Sequence, residues 1–274
     1  MNMPVKPERA RRFSLRNLRR DDKAVAAVEF ALILPLMLLL YIGSIQVTQG
    51  VLASRKMAIL SRTLSDIVAQ QPTAITSPCT ATGLCDSAMT GIFDAAASVM
   101  SPFRTSLLSD GTTKSLEMTV SSVKFFEYDS TASIPSGQLA NTYIPTTGQL
   151  ASATAPTTTN KGYLAQVKWS KTSAGTNNVG TLRTCSYLTP ADNTAAASAT
   201  TLPKGLYASG AVVIADVKYK YEPQFGGSVV QFTSGGLNYI AMSNSTYMRP
   251  RNWTDYITYD TAKANTTNDY CKAP

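Results

Sequence analysis

Residues 30–45, FALILPLMLLLYIGSI, set the terms on which the rest of this chain can fold. Only Pro35, Tyr41, Gly43 and Ser44 interrupt their apolar character, and continuing back to Ala24 gives about 22 residues with one charge, Glu29. About 20 such residues are needed to cross a hydrocarbon layer roughly 30 Å thick. The flanks give the span a direction. Residues 1–23 hold eight basic residues (Lys6, Arg9, Arg11, Arg12, Arg16, Arg19, Arg20, Lys23) against Glu8, Asp21 and Asp22, so they carry a net +5 of the chain's formal +8. Such an excess before a span predicts a cytoplasmic N-terminus and an external C-terminal bulk. The same distribution argues against nucleic-acid binding, which calls for a basic face on a folded domain.

The apolar run does not end where a secretory signal would. A cleavable signal has an apolar core of about 7–15 residues, and here VLA at 51–53 would supply its cleavage site. Beyond that point Met57, Leu60, Leu64, Ile67 and Val68 recur at spacings of three and four, with Arg55, Arg62 and Asp66 between them. This is the pattern of an amphipathic helix. Pro72 closes it. The reading is one helix over residues 24–71, roughly 70 Å long at 1.5 Å per residue. Its first half, 24–47, is the transmembrane segment, and its second half carries one apolar face.

The 274 residues include no histidine. This removes Ser-His-Asp and Cys-His catalysis and every histidine-ligated metal site. No nucleophile or carboxylate-pair motif replaces them. The expectation is a non-enzyme with no cofactor, no metal and no small-molecule substrate.

A basic tail, then AVAAVEFALILPLMLLLYIGSIQ at 24–46, then an amphipathic continuation resembles the TadE/TadG-like family, pilin-like proteins of bacterial tight-adherence (Tad, or Flp) pilus systems. The residues that carry the likeness are 26–43, with Glu29-Phe30 ahead of an apolar run and Pro35 five residues after the Phe. The resemblance implies a single-pass inner-membrane protein with a periplasmic C-terminal domain. It implies partnership with other pilin-like subunits and the Tad assembly machinery. Carried over residue by residue, a prepilin peptidase would cut between Ala24 and Val25, leaving Glu29 as the fifth residue of the mature chain. The position before such a cut is usually Gly and is Ala24 here. A mature start at Val25, at Ser54 after signal cleavage, or at Met1 all remain open at this point.

Glu29 and Pro35 are both costly in lipid. A charge at the centre of a span costs about 2.5–3.5 kcal/mol and less near an edge. Glu29 lies near the cytoplasmic edge, where headgroups satisfy it without a partner. In pilin-like assemblies the resemblance gives it a second role, pairing with the free α-amine of a neighbouring subunit. Pro35 lacks an N–H and frees the carbonyl of Ala31, which kinks a helix unless neighbours re-satisfy that group.

Residues 72–274 are expected to form an extracytoplasmic α+β domain: a helix over 86–100, then strands at 115–128, 163–170 and 210–223. Residues 227–234 are expected to pair with 210–223 as a hairpin, and 245–251 to form an edge strand because of Pro250. The Thr/Ala/Ser-rich stretches 142–160 and 189–203 read as exposed loops. The exposed half of the long helix should pack on the antiparallel sheet. Cys79, Cys85, Cys185 and Cys271 allow three disulfide connectivities. The expected pairs are Cys79–Cys85 and Cys185–Cys271, and a four-cysteine zinc site lacks the C-x-x-C units it would need. Three Asn-x-Ser/Thr sequons, at Asn244, Asn252 and Asn265, read as chance in a Thr-rich chain. The functional expectation is a minor pilin-like component acting in assembly, initiation or tip formation. The alternative is a membrane-tethered adhesin or binding module.

Overall fold

The computed structural model describes residues 22–71, 86–108, 111–173, 183, 185–223, 233–234, 237–251 and 256–257. The chain divides into two compact units, Met1–Gln49 and Gly50–Pro274. Helix α1, Asp22–Ala69, contributes to both.

In the first unit, every residue of α1 from 26 to 41 is exposed, and the apolar side chains point outward all round the helix. Such a helix has no one-sided core to serve; it is apolar enough to cross a membrane.

The second unit is α+β. Helical segment 50–69 buries Ala53, Met57, Leu60, Leu64 and Val68, the spacing expected from sequence, while Ile67 is half-buried. Helix α2, Asp86–Ser98, adds Met89, Phe93 and Ala96 to the same core. Its end is held by Lys56, whose Nζ donates to the carbonyls of Val99, at 3.2 Å, and Ser101. A cation at the unpaired carbonyls of a helix terminus is favourable.

These helices cover one face of an eight-stranded sheet. The long strands are β1 (Leu116–Tyr128), β4 (Gly162–Thr172), β7 (Gly210–Tyr221) and β10 (Ile240–Met248). The order is β10-β7-β1-β4-β2-β3, all antiparallel, with β2 at Thr142–Ile144 and β3 at Gln149–Leu150. Strand β5 (Tyr187–Ala191) pairs with β4 and, in parallel, with β6 (Thr201–Pro203).

Alternation decides the faces. Leu116, Met118 and Val120 of β1 and Val213, Ala215, Val217, Tyr219 and Tyr221 of β7 meet the helices. Trp169 of β4 joins them, and its indole N–H donates to the carbonyl of Ile257 at 2.5 Å. A bulge at Lys168 shifts the β1/β4 register between Ser122 and Val123. On the opposite face, Val123, Phe125, Val167, Val212 and Ile214 form a second core under Leu188, Leu202 and Tyr207.

Three expectations need correction. The stretch 142–160 is not all exposed loop: it supplies β2 and β3 and buries Ile144 and Ala151. The stretch 189–203 supplies β6 and most of β5 and buries Leu202. The hairpin of 210–223 with 227–234 does not form among the described residues. Both edges of β7 are taken, by β1 and β10, and strand β8 (Thr233–Ser234) pairs instead with β9 (Leu237–Asn238). Residues 227–232 lie outside the described residues. The edge strand is found where expected but begins at Ile240.

Glu117 gives a test of this packing. Its side chain is nearly buried and accepts from Lys220 Nζ at 3.2 Å. Burial raises its pKa above 4.5, and the Lys220 ammonium offsets only part of that. A carboxyl that holds its proton more tightly folded than unfolded contributes stability at low pH that is lost as pH rises through its titration range. Glu117→Gln is therefore expected to narrow the drop in melting temperature between pH 4 and pH 7, measured by thermal unfolding at both.

Candidate functional site in the N-terminal helix

The residues singled out in the sequence fall on α1. Ala24 and Val25 are helical in backbone, inside the first turn after Asp22. Glu29 and Phe30 are both exposed, one turn further on. Pro35 lies inside the helix, which remains helical on both sides of it. Two hydroxyls beyond it bond back to the helix: Ser44 Oγ donates to the carbonyl of Tyr41 at 2.8 Å, and Thr48 Oγ1 to that of Ser44 at 2.9 Å. Hydroxyls that bond back to their own helix are cheap to hold in an apolar environment. What remains outward is a continuous apolar surface, including Leu32, Leu36, Leu40 and Val47, broken by one carboxylate.

In segment 50–69 the helix has two faces. The inner face carries a polar pin among its apolar contacts. Ser61 Oγ lies 2.9 Å from Thr246 Oγ1 and accepts from Asn244 Nδ2 at 2.5 Å. This tie to β10 is not legible in sequence, where no motif marks Ser61. The amide of Asn244, in the first sequon, is engaged between helix and strand; Asn252 and Asn265 lie outside the described residues. The outer face exposes Val51, Leu52 and Ile59, with Arg55 and Arg62 beside them.

Cys185 is the only cysteine among the described residues, and it is disulfide-bonded. Cys79, Cys85 and Cys271, its partner among them, lie outside the described residues. Near α2, Phe93, Leu116 and Met118 floor an open cleft of about 580 Å³ rimmed by Thr90, Asp94 and Lys171.

The features of α1 define a class: a helix long and apolar enough to cross a membrane, with one carboxylate near its start and one internal proline. The family described as TadE-like protein matches residues 24–63, most of α1 and none of the sheet. That segment is TadE-like, as its resemblance to the TadE/TadG-like family of Tad pilus systems implied. No curated protein and no solved structure matches the chain.

Proposed function

We propose that this protein is a membrane-anchored, pilin-like minor component of a Tad-type pilus, acting in assembly, initiation or tip formation. The observation that carries this reading is the coincidence of the TadE-like match, 24–63, with a helix that is apolar on every side through its first half and one-sided in its second. The N-terminal tail lies in the cytoplasm, and residues 72–274 lie in the periplasm or on the pilus. A prepilin peptidase cuts between Ala24 and Val25. Glu29 then pairs with the free amine of a neighbouring pilin-like subunit. In an apolar helix bundle such a pair acts chiefly on register, because misaligned subunits leave charges unpaired. The work is assembly by contact, without catalysis. In the oxidising periplasm the disulfides are Cys79–Cys85 and Cys185–Cys271.

Two experiments test this. The N-terminal residue of protein recovered from cells should be Val25; Ser54 would mean the anchor is removed, and Met1 would mean it is permanent and unprocessed. Glu29→Ala should lower surface pilus numbers at least tenfold at unchanged protein level. Normal pili in that variant would overturn the role given to Glu29.

The cleft beside α2 favours a second reading, a membrane-tethered binding module, since its volume lies in the range of ligand sites. Surface binding by the full chain that persists in cells lacking the pilus machinery would favour that reading over the first.

A further inference from the structure

Two proline-threonine turns come off the same end of the sheet. Strand β2 leaves it just after Tyr143, which pairs with Tyr163 near the start of β4. The turn after β2, Pro145-Thr146-Thr147-Gly148, and the turn that leads into β4, Pro156-Thr157-Thr158-Thr159, therefore share that end. Both are held in place. Pro156 is buried, and a Cβ added to Gly162 would stand 2.9 Å from its Cγ. The Thr157 N–H donates to the Asn160 carbonyl at 2.9 Å, and the Asn160 N–H donates back to Thr157 Oγ1 at 3.0 Å. In the other turn the Gly148 N–H donates to the carbonyl of Ile144 at 2.9 Å. Thr146, Thr158 and Thr159 are exposed on these turns. Residues 144–160 hold no charged side chain, so this surface lacks the groups that most strongly hydrate a protein exterior. Within the second unit, Gly50 lies against Tyr221 at one end of β7, whereas Phe125 pairs with Gly210 at the other. The Arg251 N–H, just past the β10 end that pairs with Val213, reaches the carbonyl of Ala69. The threonine turns thus stand at the Ala69 end of the domain.

We propose that Thr146, Thr158 and Thr159 are acceptors for O-linked glycosylation. Threonine next to proline in an Ala/Ser/Thr-rich stretch is the composition of O-glycosylated segments. The structure adds access: these hydroxyls stand on surface turns outside the strand ladder, where a second protein can reach them. The donor is a sugar carried on a lipid diphosphate. The threonine Oγ1 attacks the anomeric carbon, and the bond from that carbon to the diphosphate oxygen breaks. The lipid diphosphate leaves with the electron pair, and the hydroxyl proton passes to a base of the transferase. The attached sugar hydroxyls hydrate the uncharged turns. The inference rests on the reading that places residues 72–274 outside the cytoplasm.

The test is intact mass and fragmentation mass spectrometry of the full chain purified in detergent from its native cells. The mass should exceed that of the sequence by sugar-sized increments on Thr146, Thr158 and Thr159. The triple variant Thr146→Ala, Thr158→Ala, Thr159→Ala changes exposed positions alone and should keep its circular dichroism while losing the added mass. Thr194→Ala, at an exposed threonine that follows asparagine, should lose none. A protease added outside spheroplasts reports separately on orientation. Cleavage within 72–274 together with an unmodified mass, a phosphate-sized increment, or sugar confined to other residues would overturn this inference and leave the orientation standing. Protection of 72–274 from the protease would overturn both.

Discussion

Asp216→Ala is expected to destabilise the sheet domain by about 3–5 kcal/mol, a large part of the 5–15 kcal/mol typical of a domain. The reason lies on the sheet face away from the helices. Arg183 is wholly buried there, and its Nη1 donates to Asp216 Oδ2. Asp216 Oδ1 accepts from Ser245 Oγ at 2.5 Å, and the backbone N–H of Arg183 approaches Ser170 Oγ, which bonds to Ser121 Oγ at 2.8 Å. Yet Nε and Nη2 of Arg183 have no hydrogen-bond partner among the described residues. Among the described residues one carboxylate balances the guanidinium, and removing it strands a buried charge. Replacing both members with apolar residues, Arg183→Met with Asp216→Leu, is expected to cost far less or even to stabilise, because neither charge then has to be desolvated. Urea unfolding followed by tryptophan emission, from Trp169 and Trp253 together, checks both variants. Equal losses in the single and double variants would refute this account of the pair.

The second large effect is expected at the helix–sheet contact. Leu60 is fully buried against the sheet, whereas its neighbour Ile59 is exposed. Leu60→Ala should cost about 2–5 kcal/mol through lost burial and the cavity left behind. Leu60→Asp adds an unpaired buried carboxylate and should prevent the domain from folding. Ile59→Asp should change stability by no more than about 0.5 kcal/mol, as exposed substitutions do. The three variants, compared by soluble yield and by tryptophan emission, separate the two faces of one helical turn. A similar loss at Ile59 would mean that the outer face is covered.

The contrast between positions 59 and 60 shows what was legible in the sequence. The apolar spacing of α1 and the long strands β1, β4 and β7 could be read because each buries many side chains at a regular period. Strands β2 and β6 each commit one or two side chains to the core, Ile144 and Leu202 among them, so no period rises above their Thr and Ser neighbours. The pair Arg183–Asp216 escaped notice because its members are 33 residues apart and neither sits in a motif. Pro250 marks an edge strand near its end, whereas nothing in the sequence marks its start at Ile240. Within α1, Glu29 and Pro35 stood out through their cost in lipid, whereas Ser61 gained meaning only from what faces it across the contact.

That seam gives the helix–sheet junction a mechanical character. Apolar contacts are non-directional, and a helix pulled along its axis can re-form them after sliding one turn, about 5.4 Å. Of the residues one turn from Ser61, Met57, Ala58 and Leu64 carry no hydroxyl, so its bonds to Asn244 and Thr246 can be re-formed only by Ser65, after a slide in one direction. Tension that slides α1 the other way loads those bonds in shear with no hydroxyl to replace Ser61, and in that direction the joint holds its register until they break rather than creeping.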